Sequence, residues 1–147
     1  MQIPHKQFSS QELNNRAFRR AAQVLYEHWE EGTGAHTRLF ETLIPESYVL
    51  IGRSSKGDSH REHVVPCAWI RDRSIELFEQ GKSIDEVARS IETHLKVVKI
   101  SEEERSLLDF EMGLETTMPS GWEPGDVMSH LTAAGIVLVS EKSKETL

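Results

Sequence analysis

Asp58-Ser59-His60-Arg61-Glu62-His63-Val64-Val65-Pro66-Cys67-Ala68-Trp69 is the stretch around which the chain organises itself. It places two histidines and a glutamate within four positions, then an apolar pair and a proline. In an extended segment side chains alternate between faces, so His60 and Glu62 point one way and His63 the other. Glu62 is then free to hold a divalent cation while His63 works on an adjacent group. Val64 and Val65 are β-branched and suit a half-buried strand. Pro66 cannot donate to a sheet ladder but fits the first turn of a helix, so a strand should end there and a helix begin. The same residues would also serve as an ordinary surface turn.

Upstream, residues 1–8 read as a loose arm. Ser9 followed by Glu12 is a capping box, and the helix it opens should run to Glu31, where Gly32 and Gly34 stop it. Its apolar stripe is Leu13, Ala17, Ala21, Val24, Leu25 and Trp29. Arg16, Arg19 and Arg20 beside the stripe are a solvated face or a phosphate contact. Ala35–Leu43 is expected as a short helix ended by Pro45, and Tyr48–Ile51 as a strand. The polar run from Gly52 to Ser59 is a turn by composition, which suggests a hairpin with the His/Glu cluster on its returning strand.

Downstream, Pro66 to Gln80 reads as a helix stopped by Gly81. Ser83 with Glu86, and Ser101 with Glu104, are two further capping boxes. The first opens a helix built on Ile84, Val87, Ala88, Ile91 and Leu95. Lys96–Ile100 is a strand. The second box leads into Leu107, Leu108 and Phe110, and the acidic run Glu102–Glu104 then lies in a first helical turn, where the macrodipole favours negative charge. From Gly113 to Asp126 the chain is turn-rich, with Trp122 a core plug or an exposed contact. Asp126 can cap a last helix ended by Gly135, followed by a strand at Ile136–Val139. The tail from Ser140 should fray.

A chain of 147 residues suits one domain, here residues 1–147. No apolar run reaches membrane-span length and no signal-peptide pattern opens the chain, so a soluble, cytoplasmic protein is expected. Cys67 is the only cysteine, which excludes an intramolecular disulfide and a Cys-based zinc site. The net charge of −7 is uneven: residues 1–74 hold ten Lys+Arg and nine Asp+Glu, residues 75–147 seven and fifteen. An acidic total argues against strong non-specific nucleic-acid binding, but it leaves room for a local basic patch.

Three pieces carry a resemblance: Glu62-His63-Val64-Val65-Pro66 on a strand, His94-Leu95 opening a second, and the helix opened by Ser101-Glu102-Glu103-Glu104. Over about residues 48–109 this is similar to the HNH (ββα-metal) nuclease family, whose first strand often reads Asp/Glu-His-Ile/Val-x-Pro. The resemblance implies an α+β fold, a mostly helical single domain with a small HNH-like ββα core. It implies an endonuclease that hydrolyses nucleic-acid phosphodiesters with a divalent metal, Mg²⁺ first and Mn²⁺, Ni²⁺ or Zn²⁺ next. In it Glu62 is a metal ligand and His63 the general base that activates water. Departures follow: His94 stands where the family has Asn, and Glu103 or its neighbour Glu104 where it usually has His or Asn. On this reading Glu103 is the second ligand, His94 orients the site, and Arg53 and Arg61 hold the phosphate. The insert of two helices between the motifs is long for the family.

A rival of another class is a non-catalytic acidic binding or inhibitor protein on the same scaffold. Its C-terminal carboxylates would meet a basic protein partner, as phosphate mimics do in phage anti-defence proteins. Metal binding at Glu62 and His63 separates the two.

Overall fold

The computed structural model describes residues 6–111, 118, 122–126 and 128–139. The architecture is α+β and mostly helical, with one small mixed sheet. Helix α1 (Ser10–Glu31) starts at the Ser9/Glu12 capping box, each residue bonding the other's backbone, and ends at Gly32, whose φ of 70° is left-handed. A cap of this kind is worth about 1 kcal/mol. The buried face of α1 is Ala17, Phe18, Ala21, Ala22 and Leu25. That differs from the expected stripe: Phe18 and Ala22 go in, while Leu13 stays 42 % exposed. The face is turned because α1 is gripped from two sides, by α3 (Cys67–Glu79) and α4 (Ile84–His94). The arm before α1 is not wholly loose either. The Arg16 guanidinium sits 4.4 Å from the centre of the Phe8 ring; residues 1–5 lie outside the described residues.

Between α1 and the sheet, α2 (Leu39–Leu43) is shorter than the expected Ala35–Leu43, and a 3₁₀ turn occupies Glu46–Tyr48. Strand β1 (Leu50–Ser54) therefore begins later than Tyr48 and runs into the stretch read as turn. Strand β2 is His60–His63 and β3 is Val97–Ile100. The expected hairpin does not form. The sheet order is β2-β3-β1-β4, so β3 lies between the two strands that adjoin in sequence. β3 pairs antiparallel with β2 (Glu62 opposite Val98) and parallel with β1, whose ladder slips by one residue at Ile51. The reason is apolar: Val97, Val98 and Ile100 are all fully buried, and the sheet centre is the only place that buries both faces of a strand.

After β3, α5 (Glu102–Ser106) opens at the third capping box and passes into a π-helical turn, Leu107–Glu111. Further on are α6 (Ser129–Ala133) and the two-residue edge strand β4 (Leu138–Val139), paired with β1. Gly135, with φ 71°, separates them as expected. Val127 and the tail from Ser140 lie outside the described residues, as does most of the turn-rich run. No described helix is long and apolar enough to cross a membrane.

At Gly52 of β1, β4 passes close by. A Cβ there would lie 3.0 Å from the Val139 carbonyl oxygen and 3.6 Å from Leu138 Cβ. Gly52→Ala should therefore lower stability by about 1–2 kcal/mol by pushing β4 outward. Urea denaturation measures this, and an unchanged midpoint would mean that β4 yields without resistance.

Candidate functional site

β2 is an edge strand, and its alternation sorts the cluster as expected. His60 and Glu62 face one side, where His60 Nε2 lies 3.3 Å from Glu62 Oε2. Arg61 and His63 face the other, towards α2: His63 Nε2 is 3.6 Å from Glu41 Oε1, and Arg61 pairs with Glu46 and with Glu41. Glu62 is 8 % exposed, so it is a carboxylate taken largely out of water. Burial of such a group is tolerated only where polar neighbours compensate.

A cleft of about 410 Å³ runs along this edge. Its lining includes residues from both sides of β2, together with Arg105 of α5 and Asp109 of the π-helical turn that follows it. Arg105 bonds Asp109 and Glu102, each at 3.1 Å, and holds the Asp109 side chain at 8 % exposure. Two recessed carboxylates from different elements thus line one cleft, with His60 and His63 beside them. Asp109 was hidden from the sequence reading by its apolar surroundings, Leu107-Leu108 and Phe110. The i,i+4 spacing of Arg105 and Asp109 was the signal available.

The His63 imidazole is neutral at pH 7. Burial and the nearby Arg61 charge push its pKa below the ordinary 6.5, against a smaller opposing pull from Glu41. Its Nδ1 is buried and has no hydrogen-bond partner among the described residues. That leaves Nε2, on the side of Glu41, as the nitrogen for proton exchange.

The other expected site residues are placed elsewhere. His94, at the C-terminal end of α4, is buried and does not line the cleft. Its Nδ1 is 2.8 Å from the Ser90 carbonyl oxygen and its Nε2 accepts the Gly125 N–H at 2.9 Å. Its ring packs 4.8 Å from Trp69, which meets Trp122 edge-on, also at 4.8 Å. Trp122 is thus a packing residue, its indole N–H donating to the Asp126 carbonyl. Glu103 is exposed and does not line the cleft. Glu104 is buried and closes the cap with Ser101. Burial raises its pKa, but hydrogen bonds from Ser54 and Ser101 outweigh this and hold it below the ordinary 4.5. Arg53 pairs with Asp58 at 3.0 Å, outside the cleft, whereas Arg61 lines it.

No family model, characterised protein or solved structure matches the chain.

Whether the residues suit a metal is a question of donors. Among the described residues no three His, Cys, Asp or Glu side chains converge on one point. Zn²⁺ wants three or four protein ligands and finds no such set. Mg²⁺ commonly takes one or two carboxylates and fills its shell with water and substrate phosphate, which suits the donor chemistry of Glu62 and Asp109.

Cys67 lines the cleft. Burial, with Glu41 nearby, pushes its thiol pKa up to about 11. At pH 8 the thiolate fraction is then on the order of a hundredfold below that of a free cysteine. Iodoacetamide should accordingly label the native protein at least about a hundredfold more slowly than the urea-unfolded chain. Equal rates would show that the thiol is not held in this way.

Proposed function

We propose that this chain is a metal-dependent nuclease of the HNH type, hydrolysing nucleic-acid phosphodiesters in the cleft along β2. The observation that carries the reading is the order of elements around Glu62. An antiparallel strand pair, β2 with β3, is followed directly by α5, and the strand and the helical segment each offer a carboxylate to one cleft. That is the ββα order the motif implies, with α3 and α4 inserted between the strands.

The roles follow from the positions. Glu62 and Asp109 would hold the cation. When bound, the cation supplies positive charge against the phosphate and its leaving oxygen. His63, neutral at physiological pH, accepts a proton from water. Glu41, 3.6 Å from Nε2, is placed to stabilise the imidazolium so formed. Arg61 offers a guanidinium to the phosphate from the same edge. Asp109 replaces Glu103 in this scheme, and His94 has no part in it.

The test is cleavage of mixed DNA and RNA substrates by the full chain with Mg²⁺, Mn²⁺, Ni²⁺, Zn²⁺ or EDTA. Cleavage with Mg²⁺ or Mn²⁺ that EDTA stops is the expected result. A folded protein that cuts neither polymer with any of these ions would overturn the reading. The weight would then pass to the acidic binding-protein alternative and a search for a basic protein partner.

A further inference from the structure

We infer that the substrate taken by this cleft is a single strand, not a duplex. The inference rests on the nuclease reading and adds the form of the polymer. Three observations carry it.

The first is depth. Glu62 and the Asp109 side chain are each only 8 % exposed, and both line one cleft, Glu62 from β2 and Asp109 from the π-helical turn after α5. A phosphate in a duplex is fixed on the outside of a stiff cylinder and enters a recess only if the whole duplex follows. A phosphate in a single strand can be bent in by rotation about its own backbone bonds.

The second is size. The cleft is about 410 Å³. Pockets of roughly 300–1,000 Å³ hold one drug-sized molecule. A nucleotide is of that size; a duplex groove with both its strands is not.

The third is charge. Duplex DNA presents one charge per about 1.7 Å of axis, and proteins that grip it line up on the order of six to ten cations. The cations lining this cleft are Arg61 and Arg105. Both already face carboxylates of the protein, Glu46 and Glu41 for Arg61, Glu102 and Asp109 for Arg105. Two of the three arginines of α1 are engaged elsewhere, Arg19 with Asp85 and Arg16 over Phe8, and none of the three lines the cleft. At a net charge of −7 the rest of the chain repels a polyanion. What remains favourable is local. One or two phosphate contacts can combine with an unstacked base resting on an imidazole face, a mode open to single strands. His60, about one-third exposed in the cleft, offers such a face.

The experiment is fluorescence anisotropy with a labelled short DNA strand, its RNA counterpart and the matching DNA duplex. Glu62→Gln with Mg²⁺ is titrated into each. Wild-type protein in EDTA is measured in parallel, so that a misfolded variant cannot decide the outcome. Single strands should bind at least about tenfold more tightly than the duplex. Between about 50 and 200 mM salt, log K against log salt should have a slope near −1.4, from about −0.7 for each of two phosphate contacts. Equal or tighter duplex binding, or a slope steeper than about −5, would overturn the inference. Its failure and that of the nuclease reading are distinguishable. Preferred duplex binding with wild-type cleavage sinks the strand preference alone. Preferred single-strand binding without cleavage under any metal sinks hydrolysis alone. Binding of neither polymer sinks both.

Discussion

Glu62→Gln is expected to lower metal-dependent cleavage by at least about a hundredfold and to leave the fold standing. The substitution keeps the volume of a side chain that is 8 % exposed, and it removes the negative charge beside His60. A cation at the site is worth several kcal/mol of transition-state stabilisation, and each 1.4 kcal/mol is about tenfold in rate. His63→Gln should act through a different step, with a loss of roughly a hundred- to ten-thousandfold for a missing general base. Added Mn²⁺ should rescue neither His63→Gln nor a chain lacking both groups, but should partly restore Glu62→Gln, since an amide oxygen is a weak ligand for the same ion. The readout is the initial rate of cleavage at saturating metal, with circular dichroism confirming the fold. Wild-type rates in both variants would remove Glu62 and His63 from the chemistry.

The second large effect is on stability. His94→Ala should cost about 2–3 kcal/mol, from two hydrogen bonds of about 1 kcal/mol each and part of the burial of a ring. For a chain of this length that is a fall in Tm of roughly 6–10 °C. The Gly125 N–H loses its acceptor, and Trp69 loses the imidazole it packs on. The rate per folded molecule should stay near wild type, because His94 is not at the cleft. A pH dependence follows from the same contacts. Accepting the Gly125 N–H requires Nε2 to be unprotonated, so Nδ1 carries the proton and donates to Ser90 O. Burial, together with the Arg73 charge, lowers the native pKa below 6.5 in spite of the Ser90 hydrogen bond. The unfolded chain therefore binds this proton more readily than the native one. Stability from this source is full above pH 6.5 and is lost as the pH falls from there through the lower native value. Denaturation midpoints across that range, wild type against His94→Phe, isolate the effect. An identical acid dependence in both proteins would assign it to other groups.

The parts of this fold that were legible in the sequence are those decided within a few residues. Ser9/Glu12, Ser83/Glu86 and Ser101/Glu104 are each complete within one helical turn, and all three caps form as read. Pro66 likewise marks the step from β2 to α3. Strand order was not legible, because Val97–Ile100 could have lain at an edge or at the centre of the sheet. Only the competition of every apolar segment for the interior decides that. The candidate site divides along the same line. The opposed directions of Glu62 and His63 follow from strand alternation alone. Asp109 and Glu41 come to the cluster from 47 residues downstream of Glu62 and 22 residues upstream of His63; no local pattern marks Glu41, and only the i,i+4 spacing to Arg105 marks Asp109. The position of His94, away from the cleft, was illegible for the same reason. The groups that occupy its two nitrogens are Ser90, one turn back, and Gly125, 31 residues on.

The placing of β3 between β1 and β2 also governs how the molecule is made. During synthesis the chain emerges with β1 and β2 complete while their shared neighbour, Val97–Ile100, is still to come. Neither strand can close a ladder until the two intervening helices have been added. The loops that must be closed are long, and closing them precedes any gain from pairing. The refolding rate of the full chain should therefore be set by docking of this one tetrapeptide. The nascent protein holds Glu62 and His63 on an unpaired strand until residue 100 has cleared the ribosome, and the cleft is complete only once Arg105 and Asp109 have followed.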